Sequence, residues 1–392
     1  MGLFDPDSPI RLRILSSGTQ AEVGPGLFHH RLGEALKRRQ ELVSHPATSG
    51  YRVLHGEADG FSGLVMDRYG DGVVLKVYTP AWLPHLRFLL PAIHDHLAPK
   101  AVAVLASRAL ARHPWAPPAL QKGAFLATRD LSGDRRSGNG SASNPETPRP
   151  SKDPPSAAPR TDPAPFSLPF TEHGFALEAH PFQGHKTGFY LDQRENRRRL
   201  EEMVARIRWE ENSRSGPFRV LNVFSYTGGF SLYAARGGAQ EVVSVDLSGP
   251  ALAQARRHFE INRDVVGSAN HRTREGDAFK VMEELAAEGE RFDVVVVDPP
   301  SFAKARNEVG GALGAYRALT GLALALLRPG GLLVQASCSS RISEEDFVSA
   351  VHAGARGAGH QLREELRTGH ALDHPVTFPE GHYLNCLFAR LE

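Results

Sequence analysis

The chain has 392 residues, 41% hydrophobic and 23% charged, with a formal net charge of +2. That length suits two or three domains with a sizeable core, and so small an excess of positive charge does not by itself announce a polyanionic partner. Two cysteines, Cys338 and Cys386, exclude a disulfide framework or a cysteine-built zinc site and suit a reducing compartment. The N-terminus MGLFDPDSPIRLRIL lacks the order of basic, apolar and small residues of a secretory signal, and no segment is expected to reach bilayer-spanning length. A cytoplasmic protein with no membrane partner is therefore expected.

In chain order, LFHHRLGEALKRRQEL reads as an amphipathic helix, with Leu27, Leu32, Ala35, Leu36 and Leu42 on one side and Lys37, Arg38 and Arg39 on a basic face. The stretch YRVLHGEADGFSGLVMDRYGDGVVLKVY predicts short strands separated by Gly-Asp turns, followed by a helix in PAIHDHLAPK and a strand in AVAVLAS. Together these make a small α/β module spanning residues 21–185, expected to bind RNA. Residues 129–165 hold almost no large apolar side chain and are dense in Pro, Ser, Gly, Arg and Asp, which predicts a disordered insertion at a loop tip of that module. FTEHGFALEAH then resumes as a hairpin-like pair.

From residue 186 to 392 the rhythm changes to strand, helix, strand, helix, in RVLNVFSYTGGFSLYAARGG, EVVSVDLSGPALAQARRHFEIN, FDVVVVDPP and GGLLVQASCSS, followed by the helix SEEDFVSAVHAGA. Such alternation predicts a mostly parallel sheet covered on both faces, with ligands bound outside the carboxyl ends of its strands. Those ends carry a pattern. TGGFS follows the first strand but lacks the full G-x-G-x-x-G that admits a pyrophosphate, which disfavours a nicotinamide dehydrogenase. Gly228 and Gly229 still allow a ligand close approach, Asp246 closes the second strand where a carboxylate can accept from both ribose hydroxyls, Asp277 follows a third and Asp298 a fourth. An N-cap or turn role serves each acid taken alone; together they point to an adenosine without a pyrophosphate. After FDVVVV, the tandem prolines of DPPSFAKARN end the strand and fix the direction in which Asp298 leaves it, which suits a carboxylate that must meet a flat ligand.

The segments HPFQGHKTGFYLDQRENRRRL, VLNVFSYTGGFSL, VDLS, GDAF, DPPSFAK, LVQASCSS and the ending PEGHYLNCLFARL, in this order, resemble the RlmI-like class I methyltransferases. The resemblance implies a Rossmann-like domain with a seven-stranded, mostly parallel sheet, S-adenosylmethionine as cofactor, and 5-methylcytosine formation in 23S ribosomal RNA. It further implies that Phe224, Ser225, Tyr226, Thr227, Gly228 and Gly229 hold the methionine moiety, that Asp246 with Leu247 and Ser248 holds the ribose, and that Asp277 with Ala278 and Phe279 meets the adenine. Lys186, Tyr190, Gln193 and Arg194 are implied near the methionine end, and Asp298 with Pro299 at the reaction centre. Residues 1–20, through FDPDSPIRLRILS, resemble the closing strand of a truncated PUA domain, an RNA-binding barrel.

Carbon 5 of cytosine is a poor nucleophile, so its methylation calls for a thiolate that first adds to carbon 6. Cys338, at the end of the fifth core strand, is the expected nucleophile and Asp298 its partner on the base, with Cys386 a buried strand residue. Arg197, Arg198, Phe302 and Lys304 are expected to touch substrate RNA, as basic and aromatic residues suited to phosphate contact and base stacking. The eighteen histidines show no H-E-x-x-H or comparable spacing, and the chemistry requires no metal. The remaining alternatives are methylation of a guanine nitrogen, with Cys338 structural, and a non-catalytic RNA-binding module. Ribosomal RNA is the expected partner, and a homodimer is compatible with the sequence.

Overall fold

Valine-rich runs such as Phe292–Val297, buried at every position, can only be central strands, because a strand with a solvent face would alternate. The computed structural model describes residues 1–16, 23–121, 124–127, 166–210, 216–303 and 305–392. The expected insertion at 129–165 and Lys304 lie outside these residues. The chain forms two units, Met1–Thr171 with Glu178–Phe189, and Glu172–Leu177 with Tyr190–Glu392.

The first unit opens with a hairpin of β1 (Gly2–Phe4) and β2 (Leu12–Ile14), then α1 (Pro25–Arg38) and the short α2 (Gln40–Val43). A five-stranded sheet follows in sequential order: β3 (Gly50–His55), β4 (Leu64–Tyr69), β5 (Gly72–Val77), β6 (Ala101–Ala106) and β7 (Ala124–Ala127). Only β5 and β6 run parallel, and α3 (Leu86–Leu97) supplies the crossover that a parallel pair demands. Short helices α4 (Arg108–Ala111) and α5 (Pro118–Gln121) lie between β6 and β7. Phe28, Leu32 and Ala35 of α1 pack with Val53, Met66 and Leu75 of the sheet. Phe28 takes the core position expected of Leu27. Arg39, expected on the basic face, is buried and pairs with Asp59 at 2.6 Å. Strands β8 (Leu168–Glu172) and β9 (Phe175–Ala179) form a two-stranded hairpin.

The second unit begins, after β9, with α6 (Arg194–Glu210) and holds β10 (Arg219–Val223), β11 (Glu241–Asp246), β12 (Asn270–Glu275), β13 (Phe292–Val297), β14 (Leu327–Ser337), β15 (Leu362–Thr368) and β16 (Asn385–Leu391). Their spatial order is β12-β11-β10-β13-β14-β16-β15; the first five are parallel and β16 is antiparallel to both neighbours. Helices α7 (Gly229–Arg236), α8 (Gly249–Ile261), α9 (Arg263–Val266), α10 (Ala278–Ala287), α11 (Val309–Leu326) and α12 (Glu344–Gly357) fill the connections. This is the expected Rossmann-like α/β fold with a seven-stranded, mostly parallel sheet. Strand order reverses between β10 and β13, which opens a crevice at their carboxyl ends. One expectation needs correcting: the helical stretch Arg306–Leu326 is long and apolar enough to cross a membrane. Its Ala312, Tyr316, Leu319 and Ala323 are buried in the core cluster beside the sheet.

Candidate active site

The turn after β10 alternates into the left-handed region at Phe224 (φ 60°), Tyr226 (φ 47°) and Gly228 (φ 78°). Gly228 is required twice over, since a Cβ there would also lie 2.9 Å from the Cβ of Ala255 in α8. The backbone N–H of Tyr226 donates to one carboxylate oxygen of Asp246 at 2.7 Å, and that of Ser248 to the other at 2.8 Å. Asp246 thus braces the turn, and each of its oxygens retains a lone pair for a further donor. Ser225 and Thr227 are buried, and neither Ser225 Oγ nor Thr227 Oγ1 finds a hydrogen-bond partner among the described residues. Buried hydroxyls left in that state are costly unless a ligand meets them. Leu247 is exposed, and Ser248 caps α8 through the N–H of Ala251. Asp277 is exposed and caps α10, accepting from the N–H of Lys280 at 3.2 Å; Ala278 behind it is buried and Phe279 packs against the core.

Asp298 leaves β13 beside β10, its N–H donating to the Val223 carbonyl at 3.3 Å. In the parallel register of β13 and β14, Val297 faces Gln335, so Asp298 and Cys338 end neighbouring strands. Cys338 Sγ lies 3.5 Å from the Pro299 carbonyl oxygen. The Ser339 hydroxyl donates to the Ala303 carbonyl at 2.9 Å, tying the end of β14 to the proline turn. Tyr190 sits close by, its ring 5.1 Å from that of Tyr226, edge on; burial first, then Asp298, Tyr226 and Cys338, push its hydroxyl pKa up. Cys386 is buried in β16, and burial followed by Asp298 pushes its thiol pKa up, so it is held as the inert thiol.

Several residues expected to contact a ligand are engaged within the protein. Arg194 has no exposure and gives both terminal nitrogens to Asp373, at 3.0 and 2.9 Å. Arg197, expected to touch RNA, is buried in a two-bond pair with Glu172, at 2.8 and 2.6 Å. A guanidinium spent on a buried carboxylate is not offered to phosphate. Gln193 is buried as well, accepting from the Asn196 amide at 2.6 Å. The helical period could have found these: residues 194 and 197 fall on the face of α6 that also buries Leu200, Val204 and Ile207. Arg198 remains exposed, 3.3 Å from Glu202. Phe302 is partly buried, its ring 5.4 Å from that of Tyr316. Lys186 lies in the first unit, where its carbonyl accepts from Lys76 Nζ at 2.9 Å. Sequence reasoning did not single out Tyr316, whose hydroxyl donates to Ser337 Oγ at 2.8 Å one residue before Cys338. Its signal was the unassigned apolar period of ALGAYRALTGLALAL.

The model of the S-adenosylmethionine-dependent methyltransferase family matches residues 169–384. A ribosomal RNA large subunit methyltransferase of Deinococcus radiodurans is 40% identical across the whole of this chain and 86% of its own length. The chain belongs to the RlmI-like S-adenosylmethionine-dependent methyltransferases. Ribosomal RNA large subunit methyltransferase I of Serratia proteamaculans is 33% identical over all of this methyltransferase and 87% of that protein. A protein assigned as a methyltransferase, solved with S-adenosylhomocysteine, shares the fold with a TM-score of 0.71 at 20% identity, over 95% of this chain and 83% of that one. The cofactor is S-adenosylmethionine, and the orphaned buried hydroxyls of Ser225 and Thr227, in the turn that Asp246 braces through the Tyr226 N–H, fit so polar a ligand.

Proposed function

We propose that this methyltransferase modifies carbon 5 of a cytosine in large-subunit ribosomal RNA, with the base attached transiently to Cys338. The reading is carried by one juxtaposition: a partly exposed thiol 3.5 Å from the carbonyl of the residue after Asp298, at the carboxyl end of the adjacent strand. The relatives named for large-subunit rRNA support RNA as the substrate class. S-adenosylmethionine, when bound, supplies an electrophilic methyl group on a sulfonium sulfur. Asp246 and the buried hydroxyls of Ser225 and Thr227 are the groups suited to hold it. The Cys338 thiolate adds to carbon 6, which makes carbon 5 enamine-like and nucleophilic. Asp298 accepts from the amino group or the protonated N3 of the flipped base, stabilising the charge that develops on the ring. Carbon 5 would then take the methyl group with the neutral thioether S-adenosylhomocysteine as leaving group, after which loss of the carbon 5 proton to a base expels the thiolate and restores the aromatic base.

RNA carrying 5-fluorocytosine at the target tests this sequence, because fluorine at carbon 5 leaves no removable proton. With S-adenosylmethionine present, the expected result is an adduct that survives denaturing electrophoresis, is lost in Cys338→Ala and is kept in Cys386→Ala. An adduct that persists without Cys338 moves the nucleophile elsewhere. Methyl transfer with no trapping favours a guanine nitrogen as acceptor.

A further inference from the structure

In the first unit, one face of the five-stranded sheet sends Val53, Met66, Leu75, Val77 and Val104 into the core with α1 and α3. Strand alternation puts Arg52, Asp67, Lys76 and then Tyr78 on the opposite face. Because β5 and β6 are parallel neighbours with Val77 level with Ala106, Tyr78 and Ser107 leave the sheet together, and Arg108 follows. The Ser107 hydroxyl donates to the Tyr78 carbonyl at 3.3 Å, joining the two strand ends.

Cations outweigh acids here. Asp67 is satisfied by Nε and Nη2 of Arg52, at 2.7 and 3.0 Å, and by the Thr187 hydroxyl. Glu57 accepts from the Ser62 hydroxyl and the Gly63 N–H. The Lys76 ammonium has a neutral hydrogen-bond partner, the Lys186 carbonyl, and among the described residues no carboxylate lies within ion-pair distance of Lys76 or Arg108. Burial, and the positive charges of Arg52, Lys186 and Arg108, depress the Lys76 pKa against the pull of Asp67. Crowded cations of that kind gain from an incoming anion. Beside them Tyr78 is 46% exposed, with Lys76 Nζ 5.7 Å from its ring centroid.

We propose that the carboxyl ends of β5 and β6 dock a single-stranded segment of the substrate RNA, with phosphates on Lys76 and Arg108 and a base stacked on Tyr78. Cations that track a backbone beside an open aromatic ring are the chemistry of single-strand binding, whereas duplex RNA is read by shape and by its 2′-hydroxyls. This inference rests on the RNA-substrate reading above and adds where on the chain the strand is held.

The test is fluorescence anisotropy with a labelled single-stranded rRNA fragment titrated at several salt concentrations. Lys76→Gln/Arg108→Gln should lower the slope of log affinity against log salt by about 1.4, and Arg108→Gln alone, at an exposed position, by about 0.7. Tyr78→Ala should weaken binding about tenfold with the slope unchanged. All variants should bind S-adenosylhomocysteine like the parent, which reports an intact second unit, and circular dichroism reports the first. Folded variants with parental RNA affinity and slope overturn the inference, even if the parent methylates rRNA. A parent that binds RNA through these residues but methylates no RNA leaves the inference standing and defeats the proposed function.

Discussion

Asp373→Asn removes one charge from the network that anchors the start of α6, and its cost follows from burial. The Arg194 and Asp373 side chains both have 0% exposure, and two hydrogen bonds of 3.0 and 2.9 Å join them. Against its burial, Arg194 and then His374 hold the Asp373 carboxyl well below the usual carboxylate range, so the pair is fully formed at neutral pH. Glu172, 3.6 Å from Arg194, is already engaged by Arg197 and cannot fully replace the lost charge. Breaking a buried pair by removing one partner costs about 3–5 kcal/mol, which corresponds to roughly two to nearly four orders of magnitude in a local opening equilibrium. Hydrogen–deuterium exchange of the slowest α6 amides at pH 7.5 reads that change directly. Arg194→Met/Asp373→Leu removes both charges and should recover most of the loss, since a buried pair exchanged whole for apolar groups is often neutral. A single variant within about 1 kcal/mol of the parent, or a double variant as costly as the two singles summed, would refute the reasoning.

Asp246→Ala should weaken S-adenosylhomocysteine binding by about 1–3 kcal/mol, because both the ligand hydroxyls and the Tyr226 and Ser248 N–H groups lose their acceptor; unchanged affinity by calorimetry would remove Asp246 from the site. His271 lies flat on Phe259 at 3.8 Å, and burial, with a smaller effect from Arg256, lowers its pKa to about 4. Between pH 6.5 and about 4 the unfolded chain therefore takes up a proton that the folded chain refuses, and stability falls as pH falls. On going from pH 7.5 to pH 5 this histidine alone should cost about 2 kcal/mol. Urea unfolding of His271→Gln should show that much less loss over the same interval, and an identical loss in both proteins would contradict the assignment.

The strand ends were legible in the sequence because their signals are local. A valine run closed by two prolines, a glycine pair after a strand and single acids at the next strand ends each depend on backbone geometry within a few residues. They located Gly228, Asp246, Asp298 and Cys338 at the carboxyl edge of one sheet. An acid at the end of a strand is also the ordinary cap of the helix that follows, and Asp277 caps α10. The helical period marks residues 194 and 197 of RENRRR as core-facing, and what the sequence could not name was the partner of each. Arg197 meets Glu172 across 25 residues and Arg194 meets Asp373 across 179, while Arg198 stays in solvent one position away. A guanidinium reads as a phosphate contact until the chain returns with a buried carboxylate, and only tertiary packing brings that carboxylate to it. The charge is the same in both settings; desolvation beside a fixed partner turns the side chain from a surface contact into a structural brace.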